Sequence, residues 1–554
     1  MARAIHTLGW ALAATLLMTG SAQAQVNASM AGQSTVYAPE AAIATSQPLA
    51  STAGLEILQM GGNAVDAAVA AAAVLNLTEP HMTGIGGDMF AILWSARDQE
   101  LVGLDASGRS GSLLTPEALR AQGHERMPGS GAEAVTVPGA ISGWVALLER
   151  YGTMSLAEVL APAIRLAEEG FPVSPIIAAQ WRTQDEKLAE DEGAKATFLY
   201  DGMRGPEAGE WFRNPDLASS FRMLADQGPS AFYGGELGRT VVDRVAKLGG
   251  YLTIDDLRKH EVAWVDPISI DFRGYRIWEL PPAGQGVAAL QMMKMLEPLD
   301  LEGMGHNSAP YLHHLIEAKK LAFADLQRYV ADRDFMQVSV DRLLDDDYLA
   351  GRGGLIDPSR AVERVQPGSA VTDTETIYLS VADSDGNMIS FINSIFGYFG
   401  SGVVVPGTGF ILQNRGAGFN LEDGHPNQAG PGKRPFHTLI PGFVTKDGAP
   451  WMTFGLMGGS MQPQGHTQLL LNILVFGMDL QDAIDAPRFR HMSGYSVAVE
   501  EPISAEARAG LEALGHEIRV QGPGSFGGAQ AIIKLDRGWA AGSDPRKDGM
   551  AVGR

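Results

Sequence analysis

The sequence predicts an α+β fold, in which antiparallel hairpins pack with buried helices, and three stretches carry that prediction. Residues 376–382, TIYLSVA, alternate between two faces, with Thr376, Tyr378 and Ser380 on one and Ile377, Leu379 and Val381 on the other. DSDGN then supplies turn chemistry and MISFINSIF a second strand. A second hairpin, ISIDFRGYRIWEL (268–280), turns at Gly274. Between residues 63 and 77, AVDAAVAAAAVLNL is built almost wholly of small apolar residues, the composition of a helix buried on all sides.

Composition bounds the rest. The chain has 554 residues, a formal net charge of -22 and 45% hydrophobic residues. The length suggests roughly three or four domains as a prior, but no linker-like stretch divides the chain apart from the polar loop before Thr376. The negative charge argues against nucleic acid or an anionic membrane surface as partner. There is no cysteine, so thiol nucleophiles, thiolate metal sites and disulfides are excluded. Residues 1–24 read as a signal peptide: Arg3 and His6 precede the apolar run LGWALAATLLMTG, and Ala22-Gln23-Ala24 forms an A-x-A-like cleavage site. An exported, periplasmic protein is expected, and no later apolar stretch reaches spanning length.

In chain order, residues 39–60 and 63–77 read as two helices, with Gly61-Gly62 stopping the first and Asn63 capping the second. TGIGGDMFAILW (83–94) is a Gly-rich turn and a strand. LVGLDASGRSG (101–111) is a strand running into a loop that carries Arg109. Thr115-Pro116-Glu117 starts a helix. AVTVPGAISGW (134–144) reads as strand, turn and helix, and Ser155 with Glu158 forms a capping box for the next helix. Thr253 caps another. His313, His314 and Glu317 lie on a helix of residues 310–330. Their spacing imitates a metal site but fits no H-E-x-x-H pattern, so a helix-surface location is the expectation. Met292, Met293 and Met295 read as core filler. GLMGGSMQPQG (455–465) is a Gly-rich loop leading into a helix near His466. Gly458 and Gly459 suit an anion-binding nest or a plain strand-to-helix turn equally. No G-x-S-x-G nucleophile elbow occurs.

The 376–394 hairpin has a definite register. A three-residue loop Ser384-Asp385-Gly386 puts Gly386 at the position that needs left-handed backbone. Asp383 then pairs with Asn387, and Thr376 faces Ser394 on the same face. If the chain were cut before Thr376, hydroxyl and α-amine would share one residue, and an amine with a reference pKa near ~8 serves as a base near neutrality. From these residues alone, an ordinary Thr/Ser pair on a hairpin is the commoner reading.

Several motifs together change that balance. GGNAVDAAVA (61–70), VPGAISGW (137–144), GGYLTIDDL (249–257) and EAKKLAFAD (317–325) precede the hairpin. TIYLSVADSDGN, FGSG (399–402), PGKRP (431–435), the GG of GLMGGS and APRF (486–489) belong to it or follow it. In these the chain resembles the γ-glutamyltransferase (glutathione hydrolase) family of N-terminal nucleophile hydrolases over nearly its whole length. The resemblance implies a four-layer αββα sandwich and self-cleavage at the Glu375–Thr376 bond, giving a large subunit (25–375) and a small one (376–554). It also implies Thr376 as nucleophile with its α-amine as base, Ser394 as the second hydroxyl, and Gly458 and Gly459 as oxyanion donors. No metal or cofactor is implied.

The substrate end departs from the family pattern. Phe396 stands where γ-glutamyl enzymes place an Asn, Gly418 where they place an acid, Arg415 where they place a Gln, and His437-Thr438 where they place a Ser pair. The family arginine falls near Ser107, with Arg109 two positions away. Arg109, Arg415, His437 and Thr438 are therefore the expected substrate-binding residues. The departures resemble a subgroup with cephalosporin-acylase-like and oxamate-amidohydrolase-like members. A γ-glutamyl compound such as glutathione is the first expected substrate, with water or an amino acid as acceptor. An acyl amide lacking the α-amine is the alternative, and a non-catalytic binding protein on the same fold a second.

Overall fold

The computed structural model describes residues 32–363 and 376–554. The expected signal segment (1–24) and Glu375 lie outside them. Fourteen strands form two seven-stranded sheets. They are β1 (Val36–Ala38), β2 (Ala42–Thr45), β3 (Asp88–Ser95), β4 (Glu100–Ala106), β5 (Ala263–Val265), β6 (Ile268–Phe272), β7 (Tyr275–Glu279), β8 (Ile377–Ala382), β9 (Met388–Ser394), β10 (Gly442–Lys446), β11 (Ala449–Met457), β12 (Gly528–Lys534), β13 (Trp539–Ser543) and β14 (Met550–Gly553). One sheet runs β1-β13-β12-β11-β10-β7-β6 and the other β14-β2-β8-β9-β3-β4-β5, with every pairing antiparallel.

The sheets pack face to face. Phe90, Ile92, Tyr378, Ile392, Phe443 and Ile532 fill the space between them. On the outer face of the second sheet lie α1 (Pro48–Gln59), α2 (Ala64–Thr78), α3 (Ala140–Tyr151) and α4 (Leu156–Glu169), which cover Ile377, Leu379 and Val381. On the outer face of the first lie α5 (Gly286–Leu296), α6 (Ala309–Tyr329) and α7 (Met461–Leu474). The result is the four-layer αββα sandwich, an α+β fold. Each strand of the central hairpin is buried on both faces, which is why its apolar and small polar residues alternate without an exposed side.

Local chemistry explains the elements that position the site. Every residue of α2 is buried, and its Asn63–Asp66 capping box is complete. The hairpin turn is tied to that helix by Asp383. One of its oxygens accepts from the N–H groups of Asp385 and Asn387, and the other from the N–H of Ala64 at the start of α2. A carboxylate there also faces the positive end of the helix dipole. Gly386 has φ 92°, as the turn requires. Tyr378 crosses the inter-sheet space with its ring against Gly455, where an added Cβ would lie 2.3 Å from the ring. The hydroxyl of Tyr378 is held by Ser380 and Ser390 at 2.9 and 2.8 Å.

Three expectations are corrected. Residues 42–45 form β2, inserted between β8 and β14, rather than the first turn of a helix, and the helix begins at Pro48. No strand forms at 134–137; a short 3-10 turn at Ala132–Ala134 precedes α3. β11 runs through Met457 and α7 starts at Met461, five residues before His466.

Candidate active site

Ile377 pairs with Asn393, so Thr376 stands opposite Ser394 as its register requires, and Ser394 in turn pairs with Asp88 on β3. Three polar residues thus cross the end of one sheet in a row, facing the inter-sheet layer. The hydroxyl of Thr376 donates to Ser394 Oγ at 3.3 Å. Ser394 Oγ also accepts from the backbone N–H of Phe396 at 2.8 Å and from Arg415 Nη2 at 3.2 Å. Phe396 adopts φ 79°, a left-handed conformation costly for a bulky residue. That conformation turns its N–H onto Ser394 and leaves its ring 4.3 Å from the Arg415 guanidinium.

Arg415 is fully buried. Nη1 donates to Thr438 Oγ1 at 3.1 Å, and Nε lies 3.9 Å from Asp88 Oδ2 with no hydrogen-bond partner among the described residues. Burial pushes the guanidinium pKa down to about 9, against the pull of Asp88. Asp88 is the counter-charge, and its oxygens are heavily used. Oδ1 accepts from the N–H groups of Gly108 and Gly139 and from Gln413 Nε2, while Oδ2 faces His437 Nε2 at 3.2 Å. Burial raises the Asp88 pKa to about 6, opposed chiefly by Arg415. Burial, then Arg415, holds His437 well below the usual imidazole range. A neutral ring that donates from Nε2 to Asp88 has an acceptor at Nδ1, and the N–H of Leu439 approaches that atom at 3.4 Å.

Gly458 and Gly459 take positive φ, 117° and 57°, between β11 and α7. Their carbonyls turn into the helix start and accept from the N–H groups of Met461 and Gln462. Across a planar trans peptide the N–H opposes the C=O, so the N–H of Gly459 points away from α7. Gln285 Nε2 bridges the carbonyls of Gly459 and Thr438 at 2.8 Å each. One continuous hydrogen-bonded chain therefore runs from Gly459 through Gln285, Thr438, Arg415 and Ser394 to Thr376.

The structure brings together Thr376, Ser394, Gly459 with its neighbour Gly458, Arg415, His437 and Thr438. Arg109 has other partners: it pairs with Asp332 at 3.1 Å and Asp334 at 3.7 Å, and donates to the Gly432 carbonyl. Arg109, Asp332 and Asp334 line a surface cleft with Lys259 and Arg434. Ser107, near which the family arginine is expected, donates to Asp105. Asp88 and Gln285 were not singled out in the sequence; Gly-Gly-Asp reads as a turn, and the significance of Asp88 depends on a strand register that joins distant segments.

His313, His314 and Glu317 are buried rather than on a helix surface. His313 Nδ1 meets His516 Nε2 at 2.9 Å, its Nε2 meets the Asp357 carbonyl, and Glu317 is paired to Lys320 at 2.7 Å. Glu317 already has a resident cation, and two imidazole nitrogens at that spacing share a proton.

A strand-initial threonine beside a second hydroxyl, on an αββα sandwich, defines the class of N-terminal nucleophile hydrolases. The Gamma-glutamyltranspeptidase family model matches residues 50–554, and the chain belongs to that family. It is 38% identical to the glutathione hydrolase-like YwrD proenzyme of Bacillus subtilis, covering 91% of this chain and 97% of the relative. It is 36% identical to the oxamate amidohydrolase proenzyme of Klebsiella pneumoniae, with the same coverage. The crystal structure of cephalosporin acylase from Bacillus halodurans superposes with a TM-score of 0.90 at 43% identity, covering 96% of this chain and 99% of that one.

Ser394→Ala is expected to fold, since the pocket loses one oxygen, but to mature and turn over on the order of ~10²-fold more slowly, the usual scale for a positioned proton-transfer partner. The rate of precursor loss on a denaturing gel and the anilide hydrolysis rate report it. Wild-type rates in both would remove Ser394 from the site.

Proposed function

We propose that the protein is an exported, self-processing amidohydrolase that works through an acyl-Thr376 ester and recognises its acyl group by a free carboxylate. The hydroxyl of Thr376 attacks the Glu375 carbonyl, the C–N bond breaks as the amine takes a proton, and water hydrolyses the resulting ester. The freed α-amine then serves as base for the same hydroxyl. In each turnover the oxygen attacks the substrate amide, the amine passes its proton to the leaving nitrogen, and water releases the acid. The N–H of Gly459, which points away from α7, takes the oxyanion on this reading.

The observation that carries the substrate reading is Arg415. A buried guanidinium whose Nη2 reaches Ser394 beside Thr376 is suited to a carboxylate. Among the described residues a substrate ammonium lacks an equivalent. Gly418 has no side chain, Asp88 is occupied by three donors on one oxygen and by His437 on the other, Glu422 is exposed, and Asp423 is exposed and paired to Arg120. A buried ammonium without a partner is costly. This favours an acyl amide without an α-amine over a γ-glutamyl compound.

Glutaryl-anilide and γ-glutamyl-anilide differ only in that amine and are expected to be cleaved about equally. A γ-glutamyl preference of ~100-fold, equivalent to about 2.7 kcal/mol of transition-state binding, would mean that an acid does hold the amine and would overturn this reading.

A further inference from the structure

Gln285 stands between two halves of the site, and a short ladder brings it there. Gly284 bridges His437, and the N–H of His437 donates to the Ala283 carbonyl at 2.9 Å. Gln285 follows at the cap position of α5, yet its side chain makes no hydrogen bond to that helix. The side chain is buried and turns the other way, where Nε2 donates to the carbonyls of Thr438 and Gly459 at 2.8 Å each. Both partners are carbonyl oxygens, which only accept, so both amide hydrogens are spent on them. A polar side chain at a helix start that ties two other segments together, and not its own helix, has a positioning task.

One tie falls where the backbone has most freedom to lose. Gly459 follows another glycine and takes φ 57°, so no side chain limits its rotation. The Gly458 carbonyl is fixed by the N–H of Met461 at 3.0 Å, and the Gly459 carbonyl by the N–H of Gln462 at 3.1 Å and by Gln285. The peptide planes on both sides of the Gly459 Cα are thereby set, and with them the direction of its N–H. The other tie holds the Thr438 backbone, and Thr438 Oγ1 in turn accepts from Arg415 Nη1. On the reading that the Gly459 N–H takes the oxyanion and Arg415 the acyl carboxylate, these are the groups that grip the two ends of one acyl chain. We infer that Gln285 is a positioning residue that fixes the oxyanion donor and, through Thr438, the Arg415 guanidinium, and so sets the spacing between them.

The test compares the wild type with Gln285→Met, which removes both donors, and Gln285→Glu, which keeps the shape but sets carboxylate oxygens against two carbonyls. Glutaryl- and butyryl-anilide are the substrates, with rates expressed per processed chain as counted on a denaturing gel. Gln285→Met is expected to lower kcat on both by ~10-fold or more, part of the ~10²- to 10³-fold cost of losing an oxyanion donor outright. On glutaryl-anilide KM is also expected to rise ~5-fold or more, whereas on butyryl-anilide, which has no carboxylate to place, it stays within ~2-fold. In Gln285→Glu a protonated carboxyl donates one bond and an ionised one none, so activity relative to wild type is expected to fall as the pH rises, a dependence absent from Gln285→Met. Gln285→Glu, which keeps the volume, carries the kcat and KM comparison if Gln285→Met melts well below wild type. Wild-type kcat in a folded variant overturns the inference. A lowered kcat with the glutaryl-to-butyryl preference intact overturns the link to Arg415, and a flat relative pH profile in Gln285→Glu overturns hydrogen-bond donation as the cause. Butyryl cleaved as well as glutaryl by the wild type overturns instead the reading of Arg415 as the carboxylate site, and the kcat comparison then judges Gln285 at Gly459 alone.

Discussion

Thr376→Ala is expected to accumulate as a single uncut chain with amide hydrolysis reduced on the order of 10⁴- to 10⁶-fold, the range seen when a nucleophile is removed from an assembled site. The wild-type protein should instead give two bands, the smaller beginning with Thr376 on N-terminal sequencing. The size of the effect follows from the double use of one hydroxyl. On the proposed mechanism Thr376 Oγ1 opens the peptide bond that precedes it, and that event releases the amine needed for every later turnover. Removing the methyl group alone, as in Thr376→Ser, keeps the oxygen and should preserve cutting at a reduced rate, because the hydroxyl gains rotamers that the β-branch forbids. The contacts of Thr376 with Ser394 and the sheet do not depend on cutting, so the alanine protein should fold. If the alanine protein still divides before residue 376, Thr376 is not the nucleophile.

The second large effect is expected at Arg415. Arg415→Met keeps an unbranched apolar stem, though a shorter one, and removes the charge. It should lower kcat/KM for diacid monoamides by ~10²- to 10³-fold, the loss expected when a carboxylate must be buried without its charged partner. Butyryl-anilide should change by less than ~5-fold. The obvious risk is that Asp88 becomes an uncompensated buried charge. Its pKa is already raised to about 6, and loss of the guanidinium, which holds it down, moves it further up. The carboxyl then takes a proton near neutrality, which limits the destabilisation. Arg415→Met/Asp88→Asn removes both charges and separates folding from recognition: it should melt close to wild type and still discriminate poorly between diacid and plain acyl amides. Equal losses on both substrate types in a well-folded variant would show that Arg415 serves Ser394 rather than the substrate.

Some of this site was legible in the sequence because its chemistry is local. Gly386 and the DSDGN turn set the hairpin register, and the register alone brought Thr376 to Ser394. The caps at Asn63, Ser155 and Thr253 follow from side chains one turn away. The misreadings have a common physical cause, which is a partner far along the chain. AIAT at 42–45 is helix-compatible by composition and becomes a strand because β8 and β14, more than 300 residues later, provide ladder partners on both edges. Arg109 pairs with Asp332 and Asp334, partners more than 200 residues away that its local sequence does not announce. His313 is buried because His516 closes over it. Asp88 acquires meaning only from Ser394, His437, Gln413 and Arg415, all some 300 residues away.

The interleaving of the two sheets has a consequence for the proposed cut at residue 375. β2 lies between β14 and β8, so a strand from the first piece is clamped on both edges by strands of the second. In the other sheet, β1 closes one edge against β13, while β6 and β7 extend the opposite edge beyond β10. Breaking one peptide bond therefore releases nothing. The two pieces are woven like warp and weft, and parting them requires unravelling both sheets and the layer between. Such a molecule tolerates scission at its centre because chain continuity has stopped contributing to its shape by the time the bond breaks. If the chain is cut at residue 375 as proposed, the same weave requires the pieces to fold as one before they are divided, since each alone would carry sheets with missing threads.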